Sequence, residues 1–156
     1  MAQQHYQHGG NSPKRHDTPQ QAADTEWRND VQFSSPLNPE LFNSIAKVSA
    51  QRIAQAEINR NKPTQLRRFY DELLLWESRI SQLPEVIQDA KFAEYLPFIR
   101  MMNAKAAYAE GRKLVDRNFV ELLEHTLKQA SSPQTLTICK HFWEAFMGFY
   151  KQERQD

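Results

Sequence analysis

Apolar residues recur at intervals of three and four through most of the chain after residue 36. This spacing places side chains on one face of an α-helix. Strand-like alternation is missing, and the sequence contains only 4 glycines. The pattern therefore predicts an all-α protein, an antiparallel bundle of about five helices joined by short links.

Capping residues mark where most of these helices begin. Asn38 followed by Pro39 predicts the start of the first helix, which extends to about residue 59. Thr64 is the predicted cap of the second helix, and Asp116 and Ser132 are the predicted caps of the last two. These positions leave only short connections within the bundle.

The central helix is predicted from the stretch 92–116, after a short helical turn at 85–90. Pro97 predicts a helix start or a kink, and Gly111 predicts the helix end, because glycine readily takes the left-handed conformation. One face of this helix is apolar and consists of Tyr95, Phe98, Ile99, Met102, Ala106 and Ala109.

The opposite side of the central helix is basic. Lys105 and Arg112 are seven residues apart, so they return to nearly the same angle, and Arg100 and Lys113 lie near them. Small alanines separate the two cations. A polymer backbone can therefore approach this side closely.

Two arginines on the second helix allow two interpretations. Arg67 and Arg68 are each followed four residues later by an acid, Asp71 and Glu72, which predicts exposed helix salt bridges. The same arginines also belong to a short cationic cluster that suits a polyanion. The residues alone leave both interpretations open.

The last helix is apolar over a wide arc. We assign one set of its residues to the core: Cys139, Phe142, Phe146 and Tyr150. Trp143, Met147 and Phe149 are predicted to contact another subunit, because aromatic residues and methionine are enriched in protein interfaces.

Residues 1–35 differ from the rest and predict a disordered polar tail, with the helical domain at 36–156. The tail histidines His5, His8 and His16 are too irregularly spaced in a flexible segment to form a coordination geometry, so we predict no metal site there. Its apolar residues, Trp27, Val31 and Phe33, are expected to cover something, either the bundle or a neighbouring subunit.

Composition limits the possible partners and location. The net charge of +1 gives no strong overall field for polyanions, so any such site must be a local patch. A single cysteine excludes an internal disulfide and fits a reducing cytosol. Neither a membrane span nor an apolar signal segment is visible, so we expect a soluble cytoplasmic protein.

The folded region offers few residues for catalysis: Glu121, Glu124, His125, His141 and Glu144. The inward Glu-x-x-His motifs of a di-iron bundle are missing, and no glycine-rich phosphate loop is present. A two-histidine ribonuclease would need His125 and His141 to converge, which the sequence leaves open but does not favour. We therefore predict a protein without enzymatic activity, metal or cofactor.

Three short motifs occur together in order: L-R-R-F-Y-D-E-L at 66–73, A-K-A-A-Y-A-E-G-R at 104–112 and F-W-E-A-F-M-G-F-Y-K at 142–151. In combination they resemble the small subunit of the type III-A CRISPR effector, the Csm complex. The resemblance covers residues 36–152.

The resemblance implies a non-catalytic subunit that stacks in several copies along the guide-bearing backbone subunits, near the polymerase-like large subunit, in antiviral defence. Target cleavage belongs to the backbone subunit in this family. DNA cleavage and cyclic oligonucleotide synthesis belong to the large subunit.

The resemblance also implies contact with the target RNA as it pairs with the guide RNA, through phosphates and sugars rather than base edges. It favours the RNA interpretation of the two neighbouring arginines. The RNA contacts expected first are Arg67, Arg68, Lys105 and Arg112, and Arg100 and Lys113 follow.

Two further alternatives remain open at this point. One is a self-associating helical scaffold without RNA contact, and the other is the equivalent small subunit of a type III-B complex. The scaffold would show no salt-dependent RNA binding, whereas the type III-B subunit would differ only in its partners.

Overall fold

A computed structural model describes residues 25–156. The predictions made for residues 1–24, including disorder and the three tail histidines, lie outside this range. The described chain begins with a 3₁₀ helix (Glu26–Asp30) and a π-helical turn (Leu41–Ile45). Six α-helices follow: α1 (Ala46–Ala54), α2 (Pro63–Ser81), α3 (Glu85–Arg100), α4 (Met102–Gly111), α5 (Arg117–Gln129) and α6 (Pro133–Glu153).

The architecture confirms the predicted all-helical bundle. Met101 alone separates α3 from α4, and its backbone is itself helical (φ −63°, ψ −16°). The two helices therefore act as one bent rod, which gives the bundle about five rods. No strand occurs between residues 25 and 156.

Helix α6 is the centre of the bundle and packs against α1, α2 and α5. Its residues assigned to the core from sequence, Cys139, Phe142, Phe146 and Tyr150, are all 0% exposed. The rings of Phe146 and Tyr150 stack with their centroids 5.3 Å apart. A wide apolar arc on a terminal helix thus marks the element around which the others assemble.

Two of the predicted helix caps are confirmed. Asp116 Oδ1 accepts a hydrogen bond from the Phe119 amide at 3.0 Å. Ser132 Oγ accepts one from the Thr135 amide at 3.1 Å, within a capping box. The other two caps were placed wrongly: the N-cap residue of the first helical turn is Glu40 rather than Asn38, and that of α2 is Lys62 rather than Thr64.

The first helix is shorter than predicted. Regular α-helix begins only at Ala46, because the preceding turn is π-helical, with Asn43 at φ −120° and ψ −106°. The helix ends at Ala54. Phe42, in this turn, and Val48, in α1, are 38% and 41% exposed.

Two predictions for the central helix were wrong. The turn expected at 85–90 is part of the continuous helix α3, which passes through Pro97 and ends at Arg100, directly before Met101. The helix does end at Gly111, as predicted, but the left-handed conformation is taken by Lys113, at φ 60°, and not by the glycine. Phe98, assigned to the buried face, is 51% exposed.

The N-terminal boundary of the domain also needs correction. Val31 and Phe33 are 0% and 2% exposed, so they pack on the bundle instead of belonging to a disordered tail. The Val31 carbonyl lies 2.8 Å from both Gln129 Nε2 and His125 Nε2. The folded part therefore starts before residue 36, and these residues cover α5 of their own chain.

Asn61 connects three parts of the bundle and is 0% exposed. Its side-chain amide donates to Ile53 O (3.2 Å) and to Asp116 Oδ1 (2.9 Å), and its Oδ1 accepts from the Asp116 amide (2.8 Å). Its backbone amide donates to Leu114 O (3.0 Å), and its carbonyl accepts from the Tyr150 hydroxyl (2.5 Å). Buried polar groups are costly unless they are hydrogen-bonded, and both the side-chain and the backbone polar groups of Asn61 have hydrogen-bond partners.

We predict that Asn61→Ala lowers the free energy of unfolding by about 3 kcal/mol or more. It removes three buried side-chain hydrogen bonds and puts a Cβ-bearing residue without local hydrogen bonding at φ 52°. Asn61→Gly should lose about 1 kcal/mol less, because glycine accepts this conformation. Urea denaturation measures both changes.

The matched control is Asn59→Ala, since Asn59 is exposed. The control should shift the free energy of unfolding by less than about 0.5 kcal/mol. Equal stability of Asn61→Ala and Asn59→Ala would contradict the connecting role of Asn61.

Candidate nucleic-acid interface

The bent rod α3–α4 runs antiparallel to α2, and side-chain contacts mark their register. Trp76 on α2 meets Tyr95 and Phe98 on α3, at centroid distances of 5.5 and 6.2 Å. Closer to the start of α2, Glu72 accepts a hydrogen bond from Lys105 on α4 at 2.6 Å. This register brings the first turns of α2 beside the end of α4.

An open groove of about 250 Å³ lies between these two helices, and we call it the α2–α4 groove. It brings together three of the predicted RNA contacts, Arg68, Lys105 and Arg112. The other lining residues are Gln65, Phe69, Glu72, Tyr108, Ala109 and Leu114.

The charges in the groove are only partly compensated. Lys105 is paired with Glu72, whereas Arg68 and Arg112 make no ion pair with any residue between 25 and 156. Three cations and one carboxylate give the groove a net charge of +2. The whole chain carries +1, so the positive charge is concentrated locally, as the sequence required of a polyanion site.

Of the two helix salt bridges predicted on α2, one forms and the other does not. Arg67 Nε donates to Asp71 Oδ1 at 2.8 Å, and this hydrogen bond raises the pKa of Arg67. The expected Arg68–Glu72 pair does not form, because Glu72 pairs with Lys105 on another helix instead. Arg68 is therefore the more available of the two arginines.

The remaining predicted RNA contacts lie outside the α2–α4 groove. Arg67 lines a second groove between α2 and α6. Arg100 is the exposed last residue of α3, and Lys113 is exposed in the loop after α4. The predicted set is thus divided into three groove residues and three others.

Tyr108 is a groove residue that was not selected from the sequence. It is 68% exposed, and the Arg112 guanidinium carbon lies 5.8 Å from the centroid of its ring. Its position, three residues after Lys105 and four before Arg112, places it on the same helix face as both. This helical spacing is the feature of the sequence from which Tyr108 could have been predicted as a groove residue.

One predicted subunit contact must be corrected. Trp143 is only 3% exposed, and its Nε1 donates to Thr126 Oγ1 at 3.0 Å inside the bundle. Met147 and Phe149 are partly buried against the core. Met147 lines the groove between α2 and α6, which has a volume of about 720 Å³.

The residues considered for catalysis make separate contacts. His125 contacts the N-terminal segment, whereas His141 is exposed, packs its ring on Phe42 and lies 3.3 Å from Glu144. Glu121 forms ion pairs with Arg28 and Arg117. Within residues 25–156, no group of three or more histidine, cysteine or acidic side chains is placed to bind a metal ion.

The single cysteine, Cys139, is fully buried in α6. Burial disfavours the thiolate and raises the pKa of Cys139 to about 12. The thiol is thus protonated at neutral pH, unlike an activated nucleophile. Over the same described residues, no helix is both long and apolar enough to cross a membrane.

These features define an all-helical protein with a cationic groove beside one helix end. Comparison with protein families gives a match to Csm2 Type III-A over residues 37–156. The chain therefore belongs to the Csm2 Type III-A family, and it is a small subunit of a type III-A CRISPR complex, the Csm complex. Neither a curated protein nor a solved structure matched the chain.

The match confirms the resemblance inferred from the three short motifs. It also selects the type III-A complex over the type III-B alternative. Csm2 is a non-catalytic structural subunit, and membership implies assembly with the other subunits of the Csm complex.

We predict that iodoacetamide labels Cys139 at pH 8 at least about a hundredfold more slowly in the folded protein than in concentrated urea. Both burial and the pKa of about 12 suppress the reactive thiolate until the chain unfolds. Mass spectrometry of the alkylated protein over time measures both rates. Similar rates in native buffer and in urea would show that Cys139 is accessible.

Proposed function

We propose that this subunit contacts the target RNA of the Csm complex through the α2–α4 groove, without reading its sequence. The observation that carries the proposal is the convergence on one groove of Arg68 from α2, Lys105 from α4 and Arg112 from the position directly after α4. In this role the subunit is a cytoplasmic structural component without catalytic activity of its own.

Phosphate contacts suit these residues physically. Arginine and lysine donate charge-assisted hydrogen bonds to phosphate oxygens, and such contacts carry no direct sequence information. Arg68 and Arg112 can bind phosphate directly, whereas Lys105 must first exchange its partner Glu72. An RNA paired with its guide is read by shape and backbone, which is the readout these side chains permit.

One copy should bind RNA weakly. Three phosphate contacts correspond to a slope of about −2 for log affinity against log salt with a single strand. We propose that several copies stack along the backbone subunits, so that repeated weak sites act together. The small net charge of +1 lets copies approach one another without strong repulsion.

The surface between α2 and α6 is the candidate for contact with neighbouring subunits. Its groove combines cations (Arg67, Lys151 and Arg68, which also lines the α2–α4 groove), two carboxylates (Glu144, Asp156) and the apolar Met147. Mixed charge with an apolar centre suits a protein partner better than a polyanion. Another copy of the chain, the backbone subunit and the large subunit are the proposed partners, and Phe149 remains a second candidate contact.

We predict that Arg68→Glu combined with Arg112→Glu weakens target-RNA binding by the assembled complex about tenfold or more. A single lost charge-assisted hydrogen bond already costs about this much. These two arginines are preferred to Lys105, because a glutamate at 105 would repel Glu72 and disturb the contact of α2 with α4. Filter binding at several salt concentrations measures affinity and salt slope.

The matched control reverses two exposed lysines outside the groove, Lys47→Glu with Lys128→Glu, and changes net charge equally. The control complex should bind target RNA almost as the wild type does. If both double variants bind equally, the groove is not the RNA contact, and the scaffold alternative without RNA contact becomes the better account.

A further inference from the structure

The α2–α4 groove contains more than the charges that a phosphate contact requires. Phe69, Ala109 and Leu114 give it an apolar lining, and Tyr108 leaves 68% of its surface exposed beside the cations. An exposed aromatic side chain next to arginine is typical of surfaces on which nucleobases stack. A site for phosphates alone needs no such ring.

We propose that the α2–α4 groove takes one unpaired nucleotide of an RNA strand, with its base stacked on Tyr108 and its phosphates on Arg68 and Arg112. This inference rests on the proposed function and names the form of RNA that the groove accepts. The ligand class is an unstacked nucleobase with its flanking phosphates. An RNA without bases, or a fully paired RNA, offers the phosphates but no unstacked nucleobase.

The geometry of Tyr108 supports this stacking. The Arg112 guanidinium carbon lies 5.8 Å from the ring centroid, within the range of a cation–π contact, so it steadies the ring. Ala104, one turn earlier on the same face, and the adjacent Ala107 are small and exposed, and leave the ring unobstructed. The ring therefore offers a flat surface beside the Arg112 guanidinium.

Charge and apolar area in the groove match the two halves of a nucleotide. The net charge of +2 complements phosphate, whereas the Phe69 and Leu114 side chains complement the base. Stacking uses the face of the base, which all four bases possess. The groove thus gains affinity without gaining sequence preference.

The test compares two strands of about twelve nucleotides, fluorescein-labelled oligouridylate and its abasic equivalent, binding to the full chain at low salt. Fluorescence anisotropy measures the affinities. Tyr108→Ala should weaken oligouridylate binding about fivefold or more, whereas Tyr108→Phe, which keeps the ring, should stay within about twofold of the wild type. On the abasic strand, all three proteins should bind alike.

Phe98→Ala is the control, because it removes another exposed aromatic ring from outside the groove, and it should bind both strands as the wild type does. Wild-type affinity of Tyr108→Ala for oligouridylate would overturn base stacking. An equal loss on the abasic strand would also overturn it.

The charge variant separates this inference from the function on which it rests. If Arg68→Glu with Arg112→Glu abolishes binding to both strands while Tyr108→Ala changes neither, the backbone contact stands and the stacking inference fails. If the wild type binds neither strand in a salt-dependent manner, the groove is not an RNA site, and both proposals fail together.

Discussion

The hydrogen bonds of the buried residue Asn61 are the constraint on which the groove depends. Asn61 lies two residues before α2, and its backbone amide is bound to Leu114 in the loop that follows α4. Its contact with Tyr150 attaches both segments to the central helix α6. The beginning of α2, which carries Arg68, and the residues directly after α4, which include Arg112, are therefore fixed next to one another.

Sequence alone predicted the parts of the fold that local rules govern. The buried faces of α5 and α6 follow from a regular apolar period, and their caps, Asp116 and Ser132, act within one turn. The short α1 could not be predicted, because its end depends on Asn61, whose side chain reaches back to Ile53 across the link. Such a contact joins residues that no helical period relates.

In the candidate site, too, local sequence rules predicted some features, and contacts between residues distant in sequence determine the others. The helix-spacing rule grouped Lys105 with Arg112, and these two share the groove with Arg68, which the family resemblance had favoured. It failed for the pairing of Arg68 with Glu72, because Lys105, distant in sequence, takes the carboxylate. The loss of that local pair leaves Arg68 available. A near-neutral chain can thus present a local cationic groove, with affinity supplied by repetition along the proposed assembly.

The most direct measurement of the central claim is ultraviolet crosslinking of the assembled complex loaded with target RNA, followed by mass spectrometry of nucleotide-bearing peptides from this subunit. The account predicts crosslinks in α4 (Met102–Gly111), and in the first turns of α2, which face it across the groove. Crosslinks confined to α5 (Arg117–Gln129) or to the N-terminal segment packed on it would contradict the account, because they would place the RNA on a surface other than the groove.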